Sequence, residues 1–499
     1  MFGRNLDRGH GPSSNSTVPD ASPTQRRRLN IDQEVQSRDA DTLGWDGSAK
    51  RLGNYLVSYV ETPITIGVQG DWGTGKSSFI NLVVESLGEK RSAPPPRDHD
   101  TNKLARDLQH YEAPPDNSGR AANVYVLRFD SWAFAQSDYA ADDLFPIYVA
   151  SVLEAHLAEA GKGEGGGSGL GLGRRLAHVL RAVAVNASAY FGGETASAVT
   201  DEAVKTVLPR TIFSPEQTVS EVSSVKREFQ GLVDTLLEPT GQPKTYVNRL
   251  LIVVDDLDRI SPVVAVSITE KIKVFLDVAG VIFVLATDLS IIEQGLERKF
   301  GAGAIPANGK SYLDKIVKIQ YNVPNIQRMD LAKLMLGYPI FRLACDLEKT
   351  TPEDLINLRF FQLFAVFPTI GGNIRNSKRV LLNFEFSHYL LDSSTAGAPD
   401  PDAAFRLLAV TIMYQVNHEL ARAFYNWLAN SEREGFAFST TLRKQFQGSL
   451  TIKDLTVKEG TPVDEFLAVL DAQNFPVSEW RGAFTTTTMS PVIEGATSQ

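Results

Sequence analysis

Short, continuously apolar runs rich in β-branched residues lie at 64–69, 124–129, 250–255 and 281–286. Between them, apolar positions recur every three or four residues. The runs predict strands buried on both faces, and the intervening periodicity predicts helices. A fifth run, 316–323, alternates more, as a strand at a sheet edge does. This order predicts an α/β fold built on a mainly parallel sheet. Beyond Pro324 no strand pattern follows. Residues 329–347, 352–367, 373–391 and 403–429 carry helical spacing, which predicts a helical lid followed by a helical C-terminal domain.

Several segments interrupt the core. Residues 92–120 hold Pro94, Pro95, Pro96, Pro114 and Pro115 among charges and read as a long loop. Residues 161–173 are so glycine-rich that they read as a flexible linker or loop tip. Helical patterns at 142–160 and 214–237 surround it and predict a helical insertion between the second and third core strands. The expected organisation is a disordered tail at 1–38 and a core at 39–325 with insertions at about 88–120 and 137–247. A lid at 326–395, a helical C-terminal domain at 396–484 and a disordered tail at 485–499 complete it.

Composition narrows the class. A hydrophobic fraction of 43% and a charged fraction of 22% are those of an ordinary globular protein. The single cysteine, Cys345, cannot form an internal disulfide, which fits a reducing compartment, and its apolar neighbours make it core filler. A net charge of −9 gives no global attraction to nucleic acid. The basic stretches at 26–28 and 173–181 read first as solvated runs, so nucleic-acid binding stays open without being indicated. The first 38 residues lack the apolar stretch of a signal peptide. The longest apolar window, 170–191, is broken by Arg174, Arg175, His178, Arg181 and Asn186, so no membrane span is expected and a soluble, cytoplasmic protein is. The histidines, His10, His99, His110, His156, His178, His388 and His418, show no metal-ligand spacing.

The candidate chemistry sits at strand ends. Gly70, Asp71, Trp72, Gly73, Thr74, Gly75, Lys76 and Ser77 match the phosphate-loop pattern G-x-x-x-x-G-K-[ST] at every fixed position. A strand precedes the loop, and an apolar helix starting at Ser78 follows it. Glycines let backbone N–H groups wrap a phosphate, and the helix N-terminus adds positive potential there. Lys76 is expected on the β- and γ-phosphates of ATP, and Ser77 on Mg²⁺. The run ending in Asp255, Asp256, Leu257, Asp258 and Arg259 supplies the second half. Asp255, at the carboxyl end of a strand, is the expected magnesium carboxylate, acting through water or Ser77. Asp256 is nominated to orient the attacking water, with Asp258 as the alternative. Thr287 and Asp288 end a further strand. Asp288 is read both as a γ-phosphate or water contact and as the cap of the following helix.

These motifs together resemble the KAP family of P-loop NTPases. The residues that carry the resemblance are the phosphate loop with Asp71 and Trp72 inside it, Phe129, Asp130, Ser131, Trp132, Ala133 and Phe134 after the second strand, and the acidic segment 255–259. Tyr312, Leu313, Asp314 and Lys315 before a strand closed by Pro324 fit as well, as do Asn373, Ile374 and Arg375 with Lys378, Arg379 and Asn383. The resemblance spans about residues 39–383. It implies an additional-strand ATPase core, related to the AAA+ and STAND groups, with a helical lid. It also implies that Arg375 is either a lid arginine contacting the γ-phosphate or a surface helix residue. The segment 41–44, with Leu43 and Gly44, is implied to lie beside the adenine. Arg259 is either a finger acting in trans in an oligomer or the partner of Asp256 or Asp258.

The chain departs from the family pattern in three places. Its insertion is polar and glycine-rich where many members carry membrane helices, Asp130 and Phe134 replace the usual Asn and Tyr, and no proline precedes Arg375 in the lid motif. Trp132 is expected as a core anchor. Two functions follow as expectations. One is an ATPase driving conformational change or assembly of a partner complex, as a possible homo-oligomer. Soluble bacterial KAP proteins are associated with phage exclusion and anti-phage defence, including Qat-type systems in which the ATPase works beside partner proteins. The other is a nucleotide-gated scaffold with slow turnover. No arginine-lined phosphoryl lid suggests a small-molecule kinase, no Asn/Thr-Lys-x-Asp motif suggests a GTPase, and no nuclease motif is present.

Overall fold

A computed structural model describes residues 34–58, 60–91, 104–113, 121–135, 141–160, 215–238, 247–274, 278–300, 315–392, 400–430, 451–452, 455–456, 460–473, 475 and 477–486. The readings placed on 1–33, 161–173, 173–181, 170–191, 312–314 and 487–499 lie outside the described residues.

The five anticipated strands form one sheet. They are β1 (Ile64–Gln69), β4 (Ala122–Asp130), β5 (Val247–Asp255), β6 (Val281–Thr287) and β7 (Ile319–Asn322). Their pairings are all parallel. Two further strands, β2 (Glu89–Arg91) and β3 (Leu108–Ala113), extend the sheet antiparallel beside β4, giving the order β2-β3-β4-β5-β6-β1-β7. The segment read as a long loop therefore contains a strand. Its polar Gln109, His110 and Glu112 hid the pattern, and its stability comes from β4, where His110 stacks on Tyr125 with centroids 4.6 Å apart. β7 does close an edge, as its alternation implied.

The apolar runs are continuous because both sheet faces are covered. Leu250, Ile252, Val254, Phe283 and Leu285 pack on one face against α3 (Ala141–Glu159), α4 (Pro215–Leu237) and α5 (Pro262–Val274). Leu251, Val253, Ile282, Val284, Ile66 and Val68 pack on the other, against α1 (Asp46–Ser58) and α2 (Lys76–Glu85). Successive side chains thus enter opposite cores. Helix α3 and helix α4 match the helical stretches expected at 142–160 and 214–237, within a residue or two at each end.

Among the described residues after β7, the only strands are a two-residue hairpin pair, Thr451–Ile452 with Leu455–Thr456, and the regular structure is otherwise helical. The expected helical stretches are subdivided where proline opens a new turn. Pro339, Pro352 and Pro368 each sit at the start of a short helix, where a missing N–H costs nothing. Side chains from 331–384 and from 404–484 share one continuous core, with Phe361, Phe364, Phe405, Phe424 and Trp480 fully buried.

Glu385, on the helix Ile374–Asp392, is buried in this core at 2% exposure. Its Oε1 accepts the backbone N–H groups of Ile340 (2.9 Å) and Phe341 (3.3 Å), while Oε2 has no hydrogen-bond partner. Burial pushes its carboxyl pKa up against the pull of those two bonds. A raised folded pKa favours the neutral form, so the stability Glu385 contributes is fully present below the unfolded value of about 4.5 and is lost as pH rises through the folded one. Glu385→Gln keeps the accepting oxygen and removes the charge. It is expected to melt about 2–4 °C higher than wild type at pH 8 and together with it near pH 4.5, read by thermal unfolding at both pH values. An equal shift at both would remove ionisation as the cause.

Candidate functional site

Strand β1 delivers the chain to the loop 70–77 at its carboxyl end. The loop is closed by Thr74, whose hydroxyl and N–H both donate to the Asp71 carbonyl (2.7 and 3.2 Å). Gly73 and Gly75 adopt φ of 86° and 97°, a left-handed conformation that glycine alone takes without strain. Close approach also demands these glycines. A Cβ on Gly75 would stand 2.9 Å from the Trp45 ring, and one on Gly73 would stand 2.8 Å from Asn373 Oδ1.

Helix α2 begins at Lys76, so the loop opens onto a helix N-terminus. The Lys76 ammonium donates to the carbonyls of Gly70 (2.8 Å) and Asp71 (3.3 Å), and pairs with Asp258 Oδ2 at 2.7 Å. Both side chains are nearly enclosed, at 8% and 5% exposure. Ser77 donates from Oγ to Asp255 Oδ1 at 3.1 Å, bringing a loop hydroxyl against the end of β5. Burial raises the Asp255 pKa, opposed by bonds from the Asp256 N–H and the Ser77 hydroxyl.

Asp256 carries a φ of 57°, uncommon for a residue with a side chain but tolerated by Asp and Asn. Its carboxylate pairs with Arg259 Nε at 2.8 Å. Burial first, and then the neighbouring Asp255, push its pKa up to about 7, with Arg259 pulling the other way. Within the single chain, Arg259 makes the intramolecular pair anticipated with Asp256.

Asp288 caps the helix Leu289–Phe300, accepting the Ser290 N–H at 2.9 Å. Thr287 pairs in register with Gln69, so this strand end lies beside the loop. Ser78 accepts the Val35 N–H at 3.0 Å, fastening the segment before α1 to helix α2. Leu43 is buried and Gly44 has a φ of 67°. A Cβ on Gly44 would meet Asp330 Oδ1 at 3.7 Å, so this segment lies against the helix Arg328–Leu336 that follows β7.

Arg375 stands on the first turn of the helix Ile374–Asp392, and its Cζ lies 4.2 Å from the Trp72 ring centroid. Such a cation–π contact is worth about 0.5–2 kcal/mol, depending on exposure. The Arg375 N–H donates to the Gly73 carbonyl at 3.2 Å, and Asn373 Nδ2 donates to the Trp72 carbonyl at 2.7 Å. The start of this helix is thus fastened to the loop.

Trp132 is not the core anchor expected of it. It is 45% exposed, on the short helix Ser131–Ala135, whose start Asp130 caps by accepting the N–H groups of Trp132 (3.0 Å) and Ala133 (2.9 Å). The cap turns the indole outwards, where Arg259 lies 6.0 Å from its centroid. Phe134 takes the inward position and stacks on Phe129 at 4.6 Å. The pairs Lys76–Asp258 and Trp72–Arg375 were not derivable from spacing, although every member stands inside a motif legible in the sequence, whereas the Asp256–Arg259 pair is one of those anticipated for Arg259.

A parallel sheet with β6 inserted between the strand of the phosphate loop and the strand of Asp255, and a loop of this geometry at its carboxyl edge, define a P-loop NTPase fold of the additional-strand type with a nucleotide-binding site. The chain belongs to the KAP family: the model of the KAP family P-loop domain matches residues 46–391. It is similar to the phage T7 exclusion protein of Escherichia coli (strain K12), 21% identical over 310 residues, which are 60% of this chain and 36% of that protein. The chain therefore spans well under two thirds of that relative's length. Among solved structures it matches the Aeropyrum pernix ORC2 protein (ADPNP-ADP complexes) at 11% identity and a TM-score of 0.32, over 94% of this chain and 99% of that one. Among the described residues no helix is long and apolar enough to cross a membrane.

Proposed function

We propose that the chain binds ATP with Mg²⁺ and hydrolyses it, and that the cycle drives conformational change or assembly of a protein complex in bacterial anti-phage defence. The observation that carries the first part is the convergence of three groups at one strand edge: the enclosed Lys76 ammonium, the Ser77 hydroxyl and the Asp255 carboxylate. The ammonium and the backbone N–H groups of the loop suit phosphate oxygens. Ser77 Oγ and Asp255 Oδ1, 3.1 Å apart, are hard oxygen donors that suit Mg²⁺. Among the described residues no group of three or more His, Cys, Asp or Glu side chains gathers as an all-protein metal site. The metal would therefore share its ligands with phosphate, as Mg²⁺ commonly does. When bound, Mg²⁺ neutralises phosphate charge. The chain's own residues bind, orient and exclude water. In this reading Asp256 holds the attacking water, with Asp258 as the alternative, and Arg375 answers to the γ-phosphate side. Leu43 and Gly44 border the base, while Asp288 faces the reaction as well as capping its helix.

The defence context is supported by the name of the phage exclusion relative, and work alongside protein partners in the cytoplasm belongs to the same proposal. A second reading has its own support. Lys76 is engaged by Asp258 and Asp256 by Arg259, and an arrangement so occupied favours a protein that turns over slowly and acts through its nucleotide-bound shape.

One experiment separates these readings. ATP turnover and native mass of the purified protein are measured alone, with duplex DNA, and with the divalent metal chelated. The expected result is Mg²⁺-dependent turnover that DNA leaves unchanged. Retention of ATP for hours without turnover would establish the scaffold instead, and failure to bind ATP would remove both.

A further inference from the structure

Helix α2 brings more to the site than Lys76 and Ser77. One turn beyond Ser77, on the same face of the helix, stands Asn81, buried at 5% exposure. Its amide donates to the Val35 carbonyl at 3.0 Å and to Glu34 Oε2 at 3.3 Å. The Ser78 hydroxyl accepts the Val35 N–H from the same stretch of chain. At the far end of α2, Arg38 donates its backbone N–H to Glu85 Oε2 (2.7 Å) and its Nη2 to the Glu85 carbonyl (3.3 Å). Residues 34–38 are therefore strapped along α2, with Glu34 at the end nearest the phosphate loop.

This register sets a second carboxylate beside the metal side of the site. Ser77 bonds Asp255, and Asn81, its neighbour on the helix face, bonds Glu34. Burial is the main cause of the raised Asp255 pKa, and the negative charge of Glu34 adds to it. Glu34 itself stays exposed to solvent. Among the described residues, three acidic or imidazole groups nowhere gather closely enough to enclose a metal directly, so Glu34 stands outside direct ligation with Asp255.

We propose that Glu34 is a positioning residue for Mg²⁺, accepting hydrogen bonds from water on the ion while Ser77 and Asp255 face the ion itself. The role rests on the ATP and Mg²⁺ reading given above. Magnesium sheds its water reluctantly and is commonly held by one or two protein groups with several waters left in place. Those waters are strong donors, and a carboxylate at one remove is the acceptor that suits them. The strap gives that carboxylate a fixed place, because Asn81 and Ser78 hold both its side chain and the backbone beside it.

The test has two arms, and only the second rests on the ATP reading. Glu34→Gln keeps an oxygen for Asn81 and removes the charge. In the nucleotide-free protein with metal chelated, it is expected to melt about 1–2 °C above wild type, since two like charges no longer face each other. On an Asp255→Asn background the same change is expected to shift nothing. No shift in wild type, or an equal shift on both backgrounds, overturns the proximity.

In the second arm, affinity for a fluorescent ATP analogue is measured in Mg²⁺ and in EDTA, and their ratio is the gain that the metal provides. Glu34→Gln is expected to lower this gain about tenfold, with affinity in EDTA unchanged or tighter. Arg38→Ala, which loosens the far end of the strap and leaves the carboxylate, is expected to keep the gain within about threefold. A gain retained in Glu34→Gln, or lost equally in Arg38→Ala, overturns the role. A wild-type protein with the same affinity in Mg²⁺ and EDTA ends the metal reading and this role with it, while the melting arm still reports whether the two carboxylates face each other.

Discussion

Lys76→Ala is expected to abolish nucleotide binding, weakening ATP affinity by at least about a hundredfold, and to destabilise the fold at the same time. The first effect follows from loss of the ammonium bonded into the loop, at Gly70 and Asp71. The second follows from its pairing with Asp258. Without Lys76 that carboxylate, 5% exposed, loses a cation 2.7 Å away and remains enclosed, and stranding a buried charge in this way costs about 3–5 kcal/mol. A loss of binding in Lys76→Ala alone could thus come from partial unfolding. The double variant Lys76→Ala/Asp258→Asn separates the causes, since the amide carries no charge to strand. It should recover most of the lost melting temperature and none of the affinity. Recovery of ATP binding in the double variant would show that the lysine acts through the fold and not on phosphate, and it would remove Lys76 from the binding site. Thermal unfolding and titration with a fluorescent ATP analogue provide the two readings.

What the chain discloses before folding depends on whether an interaction lies within one element or between distant ones. The runs at β1, β5 and β6 were legible because both faces of those strands enter cores, through Ile252 and Phe283 on one side and Val253 and Val284 on the other. Strand β3 was not, because Gln109, His110 and Glu112 lie towards the sheet's end, and pairing with β4 supplies what their hydrophobicity does not. The proline-led breaks in the helices after β7 follow local rules, whereas the shared core of Phe361, Phe405 and Trp480 is a tertiary fact.

The same division runs through the site. The loop glycines, Lys76 and Ser77 stand in one contiguous pattern whose geometry is largely local. Trp132 shows the limit of reading by residue type. Hydrophobicity predicts burial, but the Asp130 cap rotates the short helix so that Phe134 goes inwards and the indole outwards towards Arg259. The meeting of Trp72 with Arg375 joins segments far apart in the chain, and nothing in either segment's own pattern specifies the other.

Asp256→Asn is expected to leave ATP bound and to lower turnover by about 10²–10⁴-fold, the range associated with removing a positioned base. Asparagine is the informative replacement for a structural reason. At a φ of 57° it is the residue other than aspartate and glycine best suited to the left-handed region, so the strand-to-helix turn should survive, whereas alanine would add strain. The substitution also removes the charge partner of Arg259, 2.8 Å away, and that side effect needs its own control. Arg259→Ala breaks the same pair while leaving the carboxylate in place. If Asp256 orients water, Arg259→Ala retains far more turnover than Asp256→Asn. If the pair matters only as a brace, the two variants fall together. Asp258→Asn completes the set, because its carboxylate is already committed to Lys76 and its loss should weaken binding more than the chemical step. Rapid-quench measurement of bound ATP and product gives affinity and turnover separately for each variant. Wild-type-like hydrolysis by Asp256→Asn, with loss confined to Asp258→Asn, would move the water-orienting role to Asp258 and leave Asp256 as the residue that holds Arg259 beside Trp132.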